Sequence, residues 1–337
     1  MTPWRDKVFI VAEAGVNHNG DADMAQRLVD AAADAGCDAV KFQTFRARAL
    51  VSRHAQTAAY QKANGGGESQ LKMLIKLELP YDQHQKLKEY AAHRGVTFFS
   101  TAFDLDSIDL LQALDIPVWK IPSGEITNYP YLVRVAQMGK PILLSTGMST
   151  RAEVEEAVDV LTTHGADRDR LCILHCNTEY PTPMQDVNLR AMAKLGDYLG
   201  TAFGYSDHTP GDTIAVAATA LGARVLEKHF TLDRALTGPD HRSSLEPGEL
   251  KAMVTAIRHT EQALGDEKKQ PSPSEEKNKI IARKSLVAAK PIRAGERFTP
   301  ENVTAKRPAT GLSPMRWMDV LGRTAPRDFA EEELIEL

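Results

Sequence analysis

Cysteine is scarce in this chain, with three in 337 residues. Three cysteines, an odd number in a chain this long, suit a reducing cytoplasm better than a disulfide framework. Cys172 and Cys176 fall on or beside an apolar run, where they read as core packing rather than metal ligands. Charge of one sign is lacking too. The formal net charge is −4 and the basic residues are not clustered, so no nucleic-acid partner is expected. No apolar stretch approaches the roughly 18 residues that span a bilayer, and Met1–Asp6 has no apolar signal-peptide core. No membrane association is expected, and the chain reads as a soluble cytoplasmic protein.

What is present is a repeat of form. Eight short apolar runs each finish in residues able to do chemistry: Val8–Gly15, Ala39–Phe45, Thr97–Asp104, Val118–Glu125, Pro141–Met148, Leu171–Tyr180, Phe203–His208 and Val225–Asp233. Amphipathic stretches separate most of them. In the first, Asp21 suits an N-cap, Met24, Leu28, Ala31, Ala32 and Ala35 form a helical stripe, and Gly36 suits a left-handed end. Repeated eight times, βα predicts an α/β fold, the (β/α)8 or TIM barrel, with strand ends and catalytic groups gathered at one mouth. The length admits such a barrel of about 250 residues and a small second domain.

The expected barrel covers 1–265, its last helix running from Pro247 to Leu264 and ending at Gly265. Arg46–Pro80 is too long for an ordinary connection and contains Gly65-Gly66-Gly67. It reads as a mobile cover over the site or as a tolerated insertion. The polar, proline-broken stretch 266–282 reads as a linker. Beyond it, 283–337 reads as a compact β-rich module with strand-like pieces at Ser285–Ala288, Arg297–Thr299 and Val303-Thr304. At about 55 residues it is near the lower limit for folding alone.

Three groups of side chains suggest chemistry. His208 and His229 end consecutive predicted strands, where two imidazoles could ligate a divalent ion and leave positions for water and substrate. Either alone equally reads as a hydrogen-bonded core residue. Lys41 and Lys120, on separate strands, are accompanied by hydroxyls at Thr101, Ser123, Ser145, Thr146 and Ser206. Alternation places Gln43 on the same strand face as Lys41. Two buried lysines ask for an anion such as a phosphate and a carboxylate. Rim exposure, pairing with Glu13 and Glu125, or a Schiff-base lysine are the alternatives. Glu13, Glu125 and Asp240 supply carboxylates for acid–base work or for sugar hydroxyls.

Taken together, Ala12–Gly20, Val40–Gln43, Ser100–Asp104, Lys120–Glu125, His175–Pro183, Gly204–Thr209, Glu227–Asp233 and Gly238–His241 resemble the sialic acid (nonulosonic acid) synthase family across nearly the whole chain. In the tail, Ala282–Ser285, Lys306–Pro308 and Gly311–Pro314 resemble that family's antifreeze-like module (SAF, a β-clip fold). The resemblance implies a condensation of phosphoenolpyruvate with an N-acylated mannosamine-type aldehyde, giving a nine-carbon 2-keto acid and phosphate. It implies that His208 and His229 hold Mn²⁺ or Mg²⁺. Lys41, Lys120, Thr101, Ser123, Ser145 and Ser206 would hold phosphate and carboxylate. Gln43, Tyr180 and Asp240 would contact sugar, and Glu13 and Glu125 would handle protons. A domain-swapped homodimer is also implied, with Arg307 reaching the other subunit's sugar.

One position departs from the pattern. Thr178 stands where some neuraminate-forming members carry Asn, and Asn177–Tyr180 looks at least as much like bacterial legionaminate synthases. Those act on a 6-deoxy, 2,4-diacetamido sugar in place of N-acetylmannosamine. Two rival readings remain: a Schiff-base, pyruvate-dependent aldolase on the same barrel, and a non-catalytic glycan-binding protein suggested by the tail.

Overall fold

The computed structural model describes residues 2–52 and 69–337. It comprises two compact units that meet at the Gly265–Asp266 boundary. In the first, β1 (Phe9–Gly15), β2 (Ala39–Thr44), β3 (Thr97–Ala102), β4 (Trp119–Ile121), β5 (Ile142–Ser145), β6 (Leu171–His175), β7 (Ala202–Asp207) and β8 (Val225–His229) form a closed parallel barrel. The strands follow chain order, and β8 closes onto β1. This is the TIM barrel that the eight runs imply. Every residue of β1 and β8 is buried, as expected where helices cover the outside of a parallel sheet.

The local signals act as their chemistry demands. The Asp21 carboxylate accepts from the Met24 N–H at 2.9 Å, and Gly36 ends the helix Ala22–Ala35 with φ of 82°. That helix buries Ala25, Leu28, Val29, Ala32 and Ala35 against the barrel. The helix Pro247–Leu264 lies beside it and buries Leu250, Met253, Val254 and Ile257.

On the outer side of the barrel, Asp207 of β7 and Lys228 of β8 are register partners. They form a buried ion pair of 2.8 Å. The second Asp207 oxygen accepts from the Thr209 N–H and hydroxyl at 2.9 and 2.7 Å. A buried pair satisfied this fully resists sliding of one strand past the other, because a slip of one residue would reverse every side chain.

In the Arg46–Pro80 stretch, the helices Ala47–Leu50 and Gln70–Leu77 pack with Val16, Phe45 and Phe103 in an apolar cluster. Gly20, at φ of 77°, lets the loop after β1 approach this layer; a Cβ there would sit 2.4 Å from the Lys76 carbonyl oxygen. Of the expected cover, residues 53–68, including Gly65-Gly66-Gly67, lie outside the described residues.

The second unit pairs β9 (Ser285–Ala288) with β10 (Val303–Lys306) antiparallel. Leu286, Ile292, Phe298, Val303, Val320, Phe329 and Ile335 make its core. The stretch 266–282, which composition suggests is a linker, belongs to this unit and carries a helix, Pro273–Ala282. Ser272 caps it, Pro273 occupies its first position, and the Glu275 carboxylate accepts from the Ser272 N–H at 2.8 Å. This is a capping box, whose sequence pattern is visible once sought. None of the helix is buried, which is why its composition resembles a linker.

Gly204 of β7 offers a direct test of the close strand packing. A Cβ there would lie 2.2 Å from the Val225 carbonyl oxygen of β8. Gly204→Ala is expected to cost about 1–3 kcal/mol, the range for overpacking, measured by denaturant unfolding. An unchanged midpoint would show that β7 and β8 can part without penalty.

Candidate active site

The barrel's C-terminal mouth holds a cavity of about 230 Å³. Strand register builds it. Glu13 on β1 stands opposite Lys41 on β2 and His229 on β8. Gln43 is opposite Thr101, Thr101 opposite Lys120, and Ser206 opposite Glu227. Alternation then turns one residue in two inward. Gly15 interrupts the register between β1 and β2. A Cβ there would meet Glu13, Gln43 and His229 at 3.3–3.6 Å, so the glycine keeps that corner open.

Four buried ionic groups meet inside. Lys41 Nζ lies 2.7 Å from Glu13 and 3.6 Å from Glu227, and it donates to Thr101 Oγ1 at 2.9 Å. Lys120 Nζ lies 2.6 Å from Glu227, which also accepts from Ser206 Oγ at 2.9 Å. The two carboxyls diverge. Burial raises Glu13 to about 7 despite the opposing pull of Lys41. Burial would raise Glu227 as well, but Lys120 and Lys41 overcome it and hold Glu227 far below the carboxylate range. Lys120 is itself lowered by burial, with Glu227 opposing. Glu13 therefore exchanges its proton near neutral pH, and each proton it takes up shifts the cavity toward positive charge. The buried Ser145 hydroxyl has no protein partner. Ser123 Oγ accepts from the Gly147 N–H at 2.9 Å.

The imidazoles of His208 and His229 meet edge to face with ring centroids 5.4 Å apart. Tyr180 stacks on His208 at 4.1 Å and meets His229 edge-on at 5.5 Å. Burial lowers His208 to about 4 and His229 well below its usual value, so both rings are neutral at physiological pH. Contact between His208 Nδ1 and the Asn177 carbonyl fixes that nitrogen as the N–H donor and leaves Nε2 its lone pair. His229 Nδ1 is buried without a partner. Neutral rings with free lone pairs are what a divalent ion requires. Among the described residues no group of three or more His, Cys, Asp or Glu is arranged to hold a metal. The two imidazoles alone would hold a divalent ion by two ligands and leave its other positions to water and substrate.

A second cavity, of about 310 Å³, shares Gln43, Phe103, Tyr180 and His229 with the first and adds Asp240. The structure thus brings Glu13, Lys41, Gln43, Thr101, Lys120, Ser123, Ser145, Thr178, Tyr180, Ser206, His208 and His229 to one cavity, and Asp240 to its neighbour. Glu125 is not on either wall; β4 ends at Ile121, and in the turn Ser123–Glu125 its carboxylate accepts from the Asn128 side chain. Thr146 bonds the Leu174 carbonyl and lines a different, larger cavity of about 780 Å³. That larger cavity meets the site only at Met148 and Cys176 and holds none of the ionic groups above. Arg307 belongs to the second unit, where its Nε donates to the Ala282 carbonyl at 2.9 Å. Sequence reasoning missed Glu227. Its signal was the two-residue spacing from His229 on one strand, which places both on the inner face.

Asp240 supplies a pH test. Burial raises its carboxyl from 3.8 to about 6. The folded state therefore binds this proton more tightly than the unfolded chain. The associated stability is present below about pH 4 and lost as pH rises through about 6. Asp240→Asn is expected to be more stable than the parent at pH 7.5, by up to about 3 kcal/mol, and to lose that advantage near pH 4. Thermal unfolding across this range checks it; a gap that widens toward acid contradicts the sign.

Residues 28–269 match the NeuB family and residues 283–336 match the SAF domain. The N,N'-diacetyllegionaminic acid synthase of Campylobacter jejuni is 52% identical over 330 residues, covering 98% of this chain and 99% of that protein. The enzyme of the same name from Legionella pneumophila is 44% identical over 317 residues, covering 93% and 89%. Among solved structures, the N-acetylneuraminic acid (sialic acid) synthetase of Leptospira borgpetersenii, crystallised with citrate, superposes with a TM-score of 0.71 at 33% identity, covering 81% of this chain and 90% of that one. On the identity, the extent of the match and the barrel that carries it, the chain belongs to the NeuB family and ends in a SAF domain.

Proposed function

We propose that this protein condenses phosphoenolpyruvate with an N-acylated mannosamine-type aldose, forming a nine-carbon 2-keto acid and releasing phosphate. The observation that carries this reading is the buried lysine pair, Lys41 and Lys120, gathered in one cavity with the Thr101 and Ser206 hydroxyls and an unpartnered Ser145 hydroxyl. That arrangement suits a small, multiply charged anion. Relatives in the legionaminic acid branch favour a 2,4-diacetamido-6-deoxy aldose, giving N,N'-diacetyllegionaminate. N-acetylmannosamine, giving N-acetylneuraminate, is the alternative.

In the reaction, C3 of phosphoenolpyruvate attacks the aldehyde carbon, water adds at C2, and C–O cleavage expels phosphate. Lys41, Lys120, Thr101, Ser123, Ser145 and Ser206 hold phosphate and carboxylate as the charge moves. Glu13, protonated near neutral pH, is placed to give the developing alkoxide its proton. Gln43, Thr178, Tyr180 and Asp240 orient the sugar. His208 and His229 would hold Mn²⁺ or Mg²⁺, which when bound supplies Lewis acidity to the aldehyde oxygen. Glu125, bonded to Asn128, is kept as a second proton handler that must turn to act. A Schiff-base aldolase is less well supported, because both lysines are tied to carboxylates rather than held as free amines.

We further propose a domain-swapped homodimer in which Arg307 serves the other subunit's sugar. No helix among the described residues is long and apolar enough to cross a membrane, and a cytoplasmic location is proposed on that and on the reduced cysteines.

Phosphate release from phosphoenolpyruvate with Mn²⁺ tests the reaction. Release should depend on the aldose, be faster with the 2,4-diacetamido-6-deoxy sugar than with N-acetylmannosamine, and fall at least about 100-fold in His208→Ala. Aldose-independent silence from folded, metal-loaded protein sinks the reading. Mixed dimers of Arg307→Ala and Lys41→Ala subunits should regain activity that neither variant shows alone. No recovery in verified heterodimers counts against the swap.

A further inference from the structure

The outer face of the β7–β8 pair holds more bonds than a register lock needs. β7 ends at Asp207, and its register with β8 ends where Asp207 meets Lys228. His229 lies inside β8 and is also held from the other side, by its register partner Glu13 on β1. His208 lies one residue beyond its strand. The ladder therefore fixes one imidazole of the pair and not the other.

Side-chain bonds take the ladder's place at His208. The Asp207 carboxylate accepts from the N–H and the hydroxyl of Thr209, at 2.9 and 2.7 Å, which closes an Asx turn around His208. Lys228 Nζ pairs with Asp207 at 2.8 Å and also donates to the Thr209 carbonyl. Both ends of Asp207-His208-Thr209 are thus tied to the residue that precedes His229. Asp207, Thr209 and Lys228 are each at most 1% exposed, so solvent does not compete for these bonds. From the braced turn His208 reaches the Tyr180 loop twice. Its Nδ1 contacts the Asn177 carbonyl, and its own carbonyl accepts from the Thr182 N–H at 2.9 Å.

We propose that Asp207 and Lys228 are positioning residues for the paired imidazoles: they brace the turn that carries His208, keep its Nδ1 on the Asn177 carbonyl, and so present Nε2 to a divalent ion shared with His229. Imidazole ligands owe orientation and affinity to such outer bonds, whose loss typically costs about 10–100-fold in metal affinity. The inference rests on the metal-assisted condensation proposed above.

The test removes the pair without stranding a charge. In Asp207→Leu combined with Lys228→Met, apolar groups replace both ions, an exchange that is often neutral or stabilising for the fold. Mn²⁺ affinity of the metal-free, full-length protein, read from the paramagnetic resonance of free Mn²⁺, should fall about 10–100-fold, while the thermal midpoint does not fall. The half-saturating phosphoenolpyruvate concentration at saturating Mn²⁺ should be unchanged, because Ser206 and Glu227, the preceding register pair, stay in an intact ladder. Ring ¹⁵N spectra of the metal-free protein, with His208 assigned from His208→Gln, should change from one fixed tautomer to an averaged signal. Thr209→Val keeps the ion pair and removes one donor to it. It should move metal affinity and ring signal in the same direction, and it decides the matter should the double variant not fold. Unchanged metal affinity or an unchanged ring signal in a folded variant overturns the inference. So does a loss of affinity that only tracks a loss of thermal stability, or one matched by weaker use of phosphoenolpyruvate, since a slipped register produces both. In each of these cases the condensation itself stands. A parent protein that binds no Mn²⁺ refutes the metal site and this inference together.

Discussion

Two ammonium groups, one carboxylate held ionised and one carboxyl poised near neutrality occupy the mouth of the barrel. Each is nearly removed from water. An isolated charge in such a place would neutralise or force the structure open. Lys41, Lys120 and Glu227 stay charged because they stand within a few ångströms of one another, and they do so because β1, β2, β4 and β8 are in register. The rest of the site follows from this constraint. Burial, with a smaller push from Glu227, raises the Glu13 carboxyl to about 7 against the pull of Lys41, so the charge balance of the pocket turns on this one group.

The neutral imidazoles belong to the same arrangement. Burial disfavours protonation of both His208 and His229, and each ring's neighbours add to it: Lys120 for His208, and His208 and Lys41 for His229. Their backbone neighbours Asp207 and Lys228 carry opposite charges on the other face of the same two strands, paired with each other. One face of the β7–β8 ribbon therefore holds its charges permanently satisfied, while the other leaves its donors available. The alternation of side chains along a strand allows both within three consecutive residues.

Much of this was legible in the sequence. The eight apolar runs gave the barrel, since a run that is buried on both faces and followed by a helical stripe has few other uses. Lys41 and Gln43, two apart, share one strand face by alternation, and both line the cavity. The reach of the reading ended where pairing between distant strands decides the outcome. Glu227 was overlooked because a glutamate beside a lysine in Glu227-Lys228 looks like a solvated surface, and only strand closure turns the two to opposite sides. Glu125 was assigned to the mouth because Val118–Glu125 reads as one continuous run, yet β4 stops at Ile121 and the turn after it directs the carboxylate to Asn128. Pro273–Ala282 was hidden by its polar composition, although the Ser272–Glu275 cap marks where it begins.

The seam at which β8 meets β1 has a further bearing on how the protein comes into being. Glu13 is among the first strand residues synthesised, and Glu227 and His229 are among the last of the barrel. Until β8 leaves the ribosome, Lys120 lacks its direct ion-pair partner and His208 lacks the neighbouring ring of His229. A chain that ends before β8 carries most of the pocket's side chains but lacks Glu227 and His229, so it holds the site without its anionic anchor or its second imidazole. Competence arrives in one step, with closure of the ring, so binding by this protein is also a report that its barrel is complete.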